Sequence, residues 1–382
     1  MRRLLLLTST IVLLDVALYA AITPLLPQYV DDLGLSKVQA GVLTASYAAG
    51  TLLASLPGGY AAARIGPRRT VIGGLALLTV ASSVFGFGEH FALLAGARFA
   101  QGIASALTWA GAFTWLVAGS PPERRGAVIG TALGAAIGGA LLGPPLGALA
   151  SAAGTEPVFS ALAALALVLA AVASRIADST VREEVALREV AATFTRRPVS
   201  DATVLVAIPS LLFGAVAVLV PLRIDELGGG AALIAAGFTL GAGLEAVLAP
   251  LIGRYTDTAG RLGPYVVGMV ACAGAILLLA AAGSQAVVFI AVLGTSLGAG
   301  LCFVPATALL SDAADSAGLH QAYAAALLNV AWAAGQVSGS VGAGGTAGAF
   351  GNAAPCLAIA LLLVATAIVA RRAAPRLAPR PL

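Results

Sequence analysis

Apolar runs long enough to cross a lipid bilayer recur along the whole chain, and they constrain its fold more than any other feature. Hydrophobic residues make up 59% of the 382 residues and charged residues only 10%, whereas about 25% of the residues in soluble domains are charged. A helix needs about 20 apolar residues to cross a hydrocarbon core of ~30 Å. The sequence therefore predicts twelve spans, near residues 5–27, 38–62, 71–88, 91–118, 127–152, 157–174, 200–222, 231–252, 264–283, 286–310, 321–346 and 352–370.

The charged residues divide the spans into two groups of six. Residues 175–199 form the one long polar segment, which we interpret either as a short amphipathic helix on the membrane surface or as a plain charged linker. Lys and Arg cluster at the N-terminus, in alternate loops, in this segment and in the tail, so the positive-inside rule places both termini in the cytoplasm. We predict an all-α, multi-pass protein of the cell (inner or plasma) membrane, with two pseudo-symmetric six-helix bundles over 1–174 and 200–370, the cytoplasmic linker 175–199, and a cytoplasmic tail over 371–382.

The residue types argue against an enzyme, a metal site or a resident cofactor. All three cysteines lie in apolar spans, and we interpret them as core residues rather than disulfides or metal ligands. The two histidines lie near span ends, and neither an HExxH nor a GxSxG pattern occurs. The net charge of +4 comes from arginines that follow membrane topology, so it does not indicate a nucleic-acid partner.

A short repeat relates the two halves of the chain. The loop after span 2 reads GYAAARIGPRR from Gly59, and the loop after span 8 reads GRYTDTAGR from Gly253. A second glycine follows seven residues later in each copy, at Gly66 and Gly260. Internal repeats of this kind are typical of transporters built from two related bundles, with the substrate site between them.

Span 5 carries two series of glycines at helical spacing. The series begin at Gly130 and Gly139, and their members stand four residues apart. Small residues at this spacing bare the backbone and let another helix approach closely. Pro144 removes a hydrogen bond to the carbonyl of Ala140 and predicts a kink there.

Three ionisable residues lie inside spans, namely Asp15, Arg98 and Glu245. A charge at the bilayer centre costs about 2.5–3.5 kcal/mol even on insertion scales, so such residues face a partner or a cavity and are functional candidates. Counted at 1.5 Å per residue, Asp15 and Arg98 lie at the same depth, ~18 Å from the inner surface. They are either a proton-transfer pair whose separation changes during transport or a static pair that holds spans 1 and 4 together. For Glu245 a second proton site, a contact for a cationic substrate and a neutral hydrogen-bonding group all remain open.

Two of these stretches resemble motifs of the major facilitator superfamily. The glycine-proline pattern of span 5 resembles the motif of its proton-coupled exporters, with Ala148 in place of the family's last glycine. Arg98, Gln101 and Gly102 are similar to the Arg-x-x-Gln-Gly motif of helix 4, which the family associates with proton transfer. The resemblance assigns conformational roles in span 5 to Gly130, Gly139, Gly143, Pro144 and Gly147.

Span 1 and the repeated loops extend the resemblance. Asp15 ahead of a Pro-x-x-Pro pair is similar to helix 1 of the vesicular amine transporters and related twelve-helix drug exporters. The loops resemble the signature Gly-x-x-x-Asp-Arg-x-Gly-Arg-Arg, whose acid belongs to a charge cluster that latches the inner gate. The second copy keeps this acid, whereas Ala63 replaces it in the first; Asp312 and Asp315, in the loop after span 10, could supply carboxylates to Arg64, Arg68 or Arg69 instead. The resemblance implies gate roles for Gly59, Arg64, Gly66, Arg68, Asp257, Gly260, Arg261 and Asp312; the alternative is that the arginines only fix topology and bind lipid headgroups.

As architecture, the resemblance covers the whole chain. It implies a proton-coupled secondary transporter that exports small lipophilic or amphipathic compounds by rocker-switch alternating access, with protons and the lipid bilayer as its other partners and no cofactor. Uptake or facilitated transport of a sugar or other metabolite, and a transport-dead receptor or scaffold, remain the alternatives. The sequence does not determine the oligomeric state, and a monomer is the working expectation. Aromatic and amide residues at mid-span are the expected substrate contacts, with core packing as the competing interpretation: Tyr19, Gln101, Trp109, Phe113, Asn329, Trp332 and Gln336.

Overall fold

The computed structural model describes residues 2–121, 124–178, 197–317 and 321–377, and within these ranges it is helical throughout, with no strand. The helices are α1 Arg2–Ala20, α2 Ile22–Leu33, α3 Lys37–Arg64, α4 Pro67–Gly86, α5 Phe91–Ala118, α6 Arg125–Ala153, α7 Thr155–Ser174, α8 Arg197–Glu226, α9 Ala231–Ala259, α10 Leu262–Ala280, α11 Gln285–Ser316, α12 Gln321–Phe350 and α13 Ala353–Leu377.

The predicted fold class is confirmed. Helices α1 and α2 together form the first span, and each later helix corresponds to one predicted span. In the described ranges, eleven helical segments are long and apolar enough to cross a membrane, and α12 is the one predicted span not among them. Large apolar side chains also face outward, with Leu53 64%, Val247 70% and Leu361 72% exposed. An outer surface of this kind suits contact with lipid rather than water. The predicted surface helix of the linker falls almost entirely outside the described residues.

The first span is broken near its middle for a reason that the sequence supplies. Pro24 has no N–H, so the carbonyl of Ala20 loses its helical hydrogen-bond donor. The N–H of Ala21 still donates to the carbonyl of Ala17 at 3.0 Å, and α1 then ends at Ala20 while α2 begins at Ile22. Carbonyl groups at the end of α1 are therefore available to side chains of neighbouring helices.

The chain divides into two compact units, the first comprising residues 1–187 with 230–239. In this unit α5 packs on α3 and α4, α4 also packs on α7, and α1 packs on α6. The α3–α5 contact is close because Gly102 has no side chain, and a Cβ there would collide with the carbonyl oxygen of Tyr47. Thr51 Oγ1 donates to the carbonyl of Gly102 across the same contact, at 3.2 Å.

The second unit comprises residues 188–229 with 240–382. Here α8 packs on α12 and α11, and α10 packs on α11 and α13. Glycines again permit a close approach, because a Cβ on Gly214 would lie 3.0 Å from the Cα of Gln336. Ser340 Oγ donates to the carbonyl of Gly214 at 2.9 Å and joins α12 to α8.

The two copies of the loop repeat share a glycine with a positive φ angle. Gly66 has a φ of +95° and Gly260 a φ of +80°, a region that residues with a Cβ rarely adopt. Each glycine lies in the tight turn before the next helix, which begins at Pro67 in the first unit and at Leu262 in the second. The second glycine of the repeat is therefore a positive-φ residue within two positions of the next helix in both units.

Candidate functional site: a buried carboxylate beside a broken helix

Asp15 is the centre of a polar cluster inside the first unit. Its side chain is buried, with 2% of the residue exposed. Oδ1 accepts a hydrogen bond from Tyr47 Oη at 2.9 Å, and Oδ2 accepts from Ser105 Oγ and Trp109 Nε1, each at 2.7 Å. A buried carboxylate needs such donors because desolvation without them is costly. All three donors are neutral side chains.

Arg98 lies one step further along the same cluster, and it holds the break in the first span. Its guanidinium is fully buried. Nη1 donates to the carbonyl of Leu18 at 3.0 Å and Nη2 to that of Tyr19 at 3.1 Å. A cation at the C-terminal end of a helix opposes the negative end of the helix dipole, so Arg98 stabilises α1 where the break leaves its carbonyls without helical partners.

Asp15 and Arg98 are joined through Tyr47 rather than directly. In the described ranges, no guanidinium nitrogen of Arg98 forms an ion pair with a carboxylate oxygen of Asp15 at a distance of 4.0 Å or less. Instead, the guanidinium carbon of Arg98 lies 4.8 Å from the centre of the Tyr47 ring, whose hydroxyl group donates to Asp15. The sequence predicts that the two charges lie at the same depth in the membrane. In the structure both charges contact the same side chain, Tyr47, whose ring lies between them.

Helix α5 supplies most of this network because its polar residues lie on one face. Arg98, Ser105 and Trp109 are separated by seven and four residues, which keeps them on one side of a helix. Gln101 lies on the same side, where it accepts from Arg98 Nη1 at 3.1 Å and donates to Ser82 Oγ at 3.1 Å. Gln101 is fully buried, and its side chain is part of this hydrogen-bond network.

Trp109 and Phe113 connect the buried acid to a more accessible part of the first unit. Their rings are stacked, with centroids 5.3 Å apart and planes 11° apart. Both residues are half-buried, whereas Asp15 and Ser105 are buried. Tyr19, the third predicted aromatic contact of this unit, is also half-buried, and its ring lies 5.1 Å from the Tyr47 ring.

One glycine series of α6 forms the contact with the broken first span. A Cβ on Gly139 would lie 2.5 Å from the carbonyl oxygen of Leu13, and one on Gly143 would lie 2.7 Å from that of Ala17. Gly147 faces Ala21 in the same way. The other series differs: no described atom lies within 4 Å of a Cβ built on Gly130 or Gly134. Helix α6 runs through Pro144, which is buried.

The candidates of the second unit lie on α9 and α12. Glu245 is half-buried, and its Oε1 is buried without a hydrogen-bond partner among the described residues. Its Cγ would lie 3.9 Å from a Cβ on Gly300 of α11. On α12, Asn329 and Trp332 are half-buried and Gln336 is buried.

The predicted gate residues have local partners in each unit. In the first, Arg68 lies beside Asp178, with Nε 3.9 Å from Oδ2, and its Nη1 donates to the carbonyl of Ile176 at 3.2 Å. Arg64 is exposed, and its guanidinium carbon lies 5.6 Å from the centre of the Tyr60 ring.

In the second unit Arg261 pairs with Asp312 and also donates to the carbonyl of Ala308 at 2.7 Å. The side chain of Asp257 lies outside the described residues. No described atom lies within 4 Å of a Cβ built on Gly59, the first glycine of the repeat.

Sequence reasoning missed two side chains that contact the predicted site residues, Tyr47 and Asp178. Tyr47 was not singled out, although a tyrosine at mid-depth of a span made mostly of small residues is a usable signal. Asp178 was also missed because it lies at the start of the polar linker, more than 100 residues from Arg68. Only the fold brings such residues together.

The comparisons with known proteins agree with this architecture. The model of the Major Facilitator Superfamily matches residues 5–335. A stretch of 123 residues is 32% identical to the MFS-type transporter ppzB of Metarhizium majus (strain ARSEF 297), covering 31% of this chain and 27% of that protein. A stretch of 106 residues is 31% identical to the quinolone resistance protein NorA of Staphylococcus aureus (strain Mu50 / ATCC 700699), covering 28% of this chain and 27% of that protein. The matches therefore span about a quarter of each relative.

Solved structures match over nearly the full length. A bacterial homologue of the human lysosomal transporter Spinster, inward-facing and unoccupied, has a TM-score of 0.82 at 14% identity, covering 99% of this chain and 98% of that one. A D-xylose-proton symporter has a TM-score of 0.79 at 17% identity, covering 100% and 99%. At these identities the likeness shows the fold alone. The family model over residues 5–335 establishes that the chain belongs to the major facilitator superfamily.

Proposed function

We propose that the protein is a proton-coupled secondary transporter that exports small lipophilic or amphipathic compounds by alternating access of the rocker-switch type. The observation that carries this proposal is the Asp15 carboxyl group, which is buried in the first span and held by neutral donors only. Two effects oppose each other at such a group: three hydrogen bonds stabilise the anion, whereas the neutral acid avoids desolvation of a charge.

The neighbouring arginine supports a proton-coupling role for this acid. The positive charge of Arg98 lies against the ring of Tyr47, whose hydroxyl group donates to Asp15, and Arg98 and Asp15 do not form a direct ion pair. A direct buried pair would hold the carboxylate charged throughout, since breaking such a pair costs about 3–5 kcal/mol. An indirect one leaves proton uptake sensitive to small changes in hydration and distance. Glu245, whose Oε1 is buried and has no partner in the described residues, is our candidate for a second proton site.

The direction of transport is inferred from α6. The glycine series through Gly139, Gly143 and Gly147 resembles the exporter motif, and it packs against the span that carries Asp15. A helix contact made by glycines permits sliding and tilting of the two helices with little steric resistance. The similarity to a quinolone resistance protein over 106 residues supports the same direction and substrate class.

The remaining candidates complete the proposal. We assign substrate contact to the half-buried aromatic and amide residues Tyr19, Trp109, Phe113, Asn329 and Trp332, with the more deeply buried Gln101 and Gln336 in support. Conformational roles go to the turn glycines and to the pairs that close the inner loops, Arg68 with Asp178 and Arg261 with Asp312.

A gradient-driven efflux assay tests this function. Purified protein is reconstituted into liposomes, and a panel of lipophilic cations and neutral drugs is tested for transport under an imposed pH gradient. Wild-type protein is compared with Asp15→Asn and with the matched control Asp31→Asn, which changes an exposed acid on the same span. We expect the gradient to drive efflux by wild type and Asp31→Asn and not by Asp15→Asn. Normal gradient-driven efflux by Asp15→Asn would remove Asp15 from the role, and accumulation in right-side-out vesicles driven by an inward proton gradient would indicate uptake instead.

A further inference from the structure

We propose that Trp109 is a positioning residue through which a bound aromatic compound controls the proton on Asp15. This inference rests on the proposed function and adds the element that links its two ligands. It stands on the geometry of one indole ring, which contacts the buried acid at its N–H and a second aromatic ring on its face.

The three donors to Asp15 differ in what they do when the acid binds a proton. The hydroxyl groups of Tyr47 and Ser105 are donors and acceptors, so either can rotate and accept a hydrogen bond from a protonated carboxyl group. The indole N–H of Trp109 is a donor only. The Trp109 bond, at 2.7 Å, is therefore strongest with the anion and weakens when Asp15 is protonated.

Trp109 is also the accessible member of the set. Asp15, Tyr47 and Ser105 are 2%, 2% and 4% exposed, whereas Trp109 and its stacking partner Phe113 are half-buried. A compound that reaches this part of the first unit meets an aromatic surface before it meets the acid. Stacking on such a surface suits flat or aryl-bearing lipophilic molecules.

Occupation of the aromatic surface has a definite effect on the proton. A ring packed against the Trp109–Phe113 pair confines the indole in the orientation that donates to Asp15. Because this orientation favours the anion, the proton passes from Asp15 to water as the compound binds. Protonation from the other side of the membrane weakens the N–H bond, frees the indole and loosens the compound. By linkage the two ligands oppose each other to the same extent, which is the sign that exchange of a compound for a proton requires.

Other titratable and charged groups near Asp15 do not replace this link. From α5 the cluster includes Arg98, and from α3 it includes Tyr47. Tyr19 of α1 lies against the Tyr47 ring. Arg98 is buried and bonded to the carbonyls of Leu18 and Tyr19, so it does not present itself to a ligand as Trp109 does.

The first test needs no ligand. Fluorescence of Trp109 is recorded against pH in a Trp115→Phe, Trp332→Phe background, where it is the one remaining tryptophan, since the chain has three. We expect emission to follow a single titration that disappears in the same background with Asp15→Asn. Emission that does not change with pH, or that titrates equally with Asp15→Asn, would overturn the proposal. This measurement stands even if replacement of Trp109 itself prevents folding.

The second test adds triphenylphosphine oxide, an aromatic compound that is neutral at all pH values used, so that any pH dependence of its binding comes from the protein. Binding to the full chain in lipid nanodiscs is measured by equilibrium dialysis at mildly acidic and mildly alkaline pH. Trp109→Phe keeps the stacking ring and removes the N–H, whereas the matched control Trp115→Phe removes an indole on the same helix that donates to the carbonyl of Ala177. One hydrogen bond to a charged group corresponds to a factor of about 10 to 100, so wild type and Trp115→Phe should bind about 10 to 100 times more tightly at alkaline pH.

The outcomes separate this inference from the function on which it rests. Loss of the pH difference in Trp109→Phe supports the link. Persistence of the difference in Trp109→Phe, its absence in wild type, or no binding of triphenylphosphine oxide to wild type overturns it. If Asp15→Asn abolishes gradient-driven efflux while Trp109→Phe retains the pH difference, the inference fails and the proposed function stands.

Discussion

The glycine contact between α6 and the first span gives the sharpest test of the packing. In Gly139→Ala the new Cβ would lie 2.5 Å from the carbonyl oxygen of Leu13 and 2.8 Å from the Cβ of Val16. Carbon atoms in contact prefer about 3.5–4.0 Å, so the helices must separate by about 1 Å. Overpacking of this kind costs about 1–3 kcal/mol. The control Gly134→Ala lies on the other series of the same helix, where no described atom is within 4 Å of the new Cβ.

The two variants have the same gain in helix propensity, so their difference isolates the contact. Replacement of glycine by alanine within a helix gains up to about 1 kcal/mol, and this gain is common to both. The difference of about 1–3 kcal/mol corresponds to roughly 5 °C in the apparent melting temperature at about 2–4 °C per kcal/mol. Thermal unfolding of detergent-solubilised protein, read by native tryptophan emission, measures it. Equal melting temperatures for Gly139→Ala and Gly134→Ala would refute the close contact of α6 with α1.

Three further predictions follow from particular contacts. Arg98→Lys should lower gradient-driven efflux by at least about tenfold in the liposome assay. The reason is that an ammonium group cannot donate to the carbonyls of Leu18 and Tyr19 in the fixed geometry of a guanidinium group. Full activity of this variant would contradict the role of Arg98 at the helix break. Gly260→Ala should lower stability by about 1–2 kcal/mol in a thermal unfolding assay, because φ at this turn is +80°, whereas Gly263→Ala, with no described atom within 4 Å of its Cβ, is the unstrained control. Asp178→Asn should lower the free energy of unfolding by only about 0.2–1 kcal/mol, because the pair that Asp178 forms with Arg68 is partly exposed. In thermal unfolding this loss of stability should be smaller in high salt. A loss that salt does not change would contradict an ionic contact.

The fold followed from the sequence to a large extent because hydrocarbon permits few solutions. Every span must satisfy its own backbone, so long apolar runs predict helices directly. Span 5 was predicted over 127–152 and is α6 over Arg125–Ala153. The repeated loops were also readable, since glycines at the same spacing, Gly66 and Gly260, adopt positive φ in both units.

The details of the site were less readable because they depend on contacts between distant parts of the chain. Counting residues from the span ends predicted that Asp15 and Arg98 lie at the same depth in the membrane. It could not predict that the ring of Tyr47 lies between them. Nor does a glycine series reveal which of its members meets a neighbour. Gly130 and Gly139 both belong to series with a spacing of four, yet a Cβ on Gly139 would collide with α1, whereas one on Gly130 would have no neighbouring helix within 4 Å in the described residues.

Proton release on substrate binding tests the central claim most directly. A compound that wild type exports is added to purified protein in weakly buffered solution, and a pH-sensitive dye records the protons released, beside binding of the same compound to Asp15→Asn. We predict that wild type releases protons as it binds and that Asp15→Asn binds without releasing them. Equal proton release by Asp15→Asn would contradict the assignment of the coupled proton to this carboxyl group.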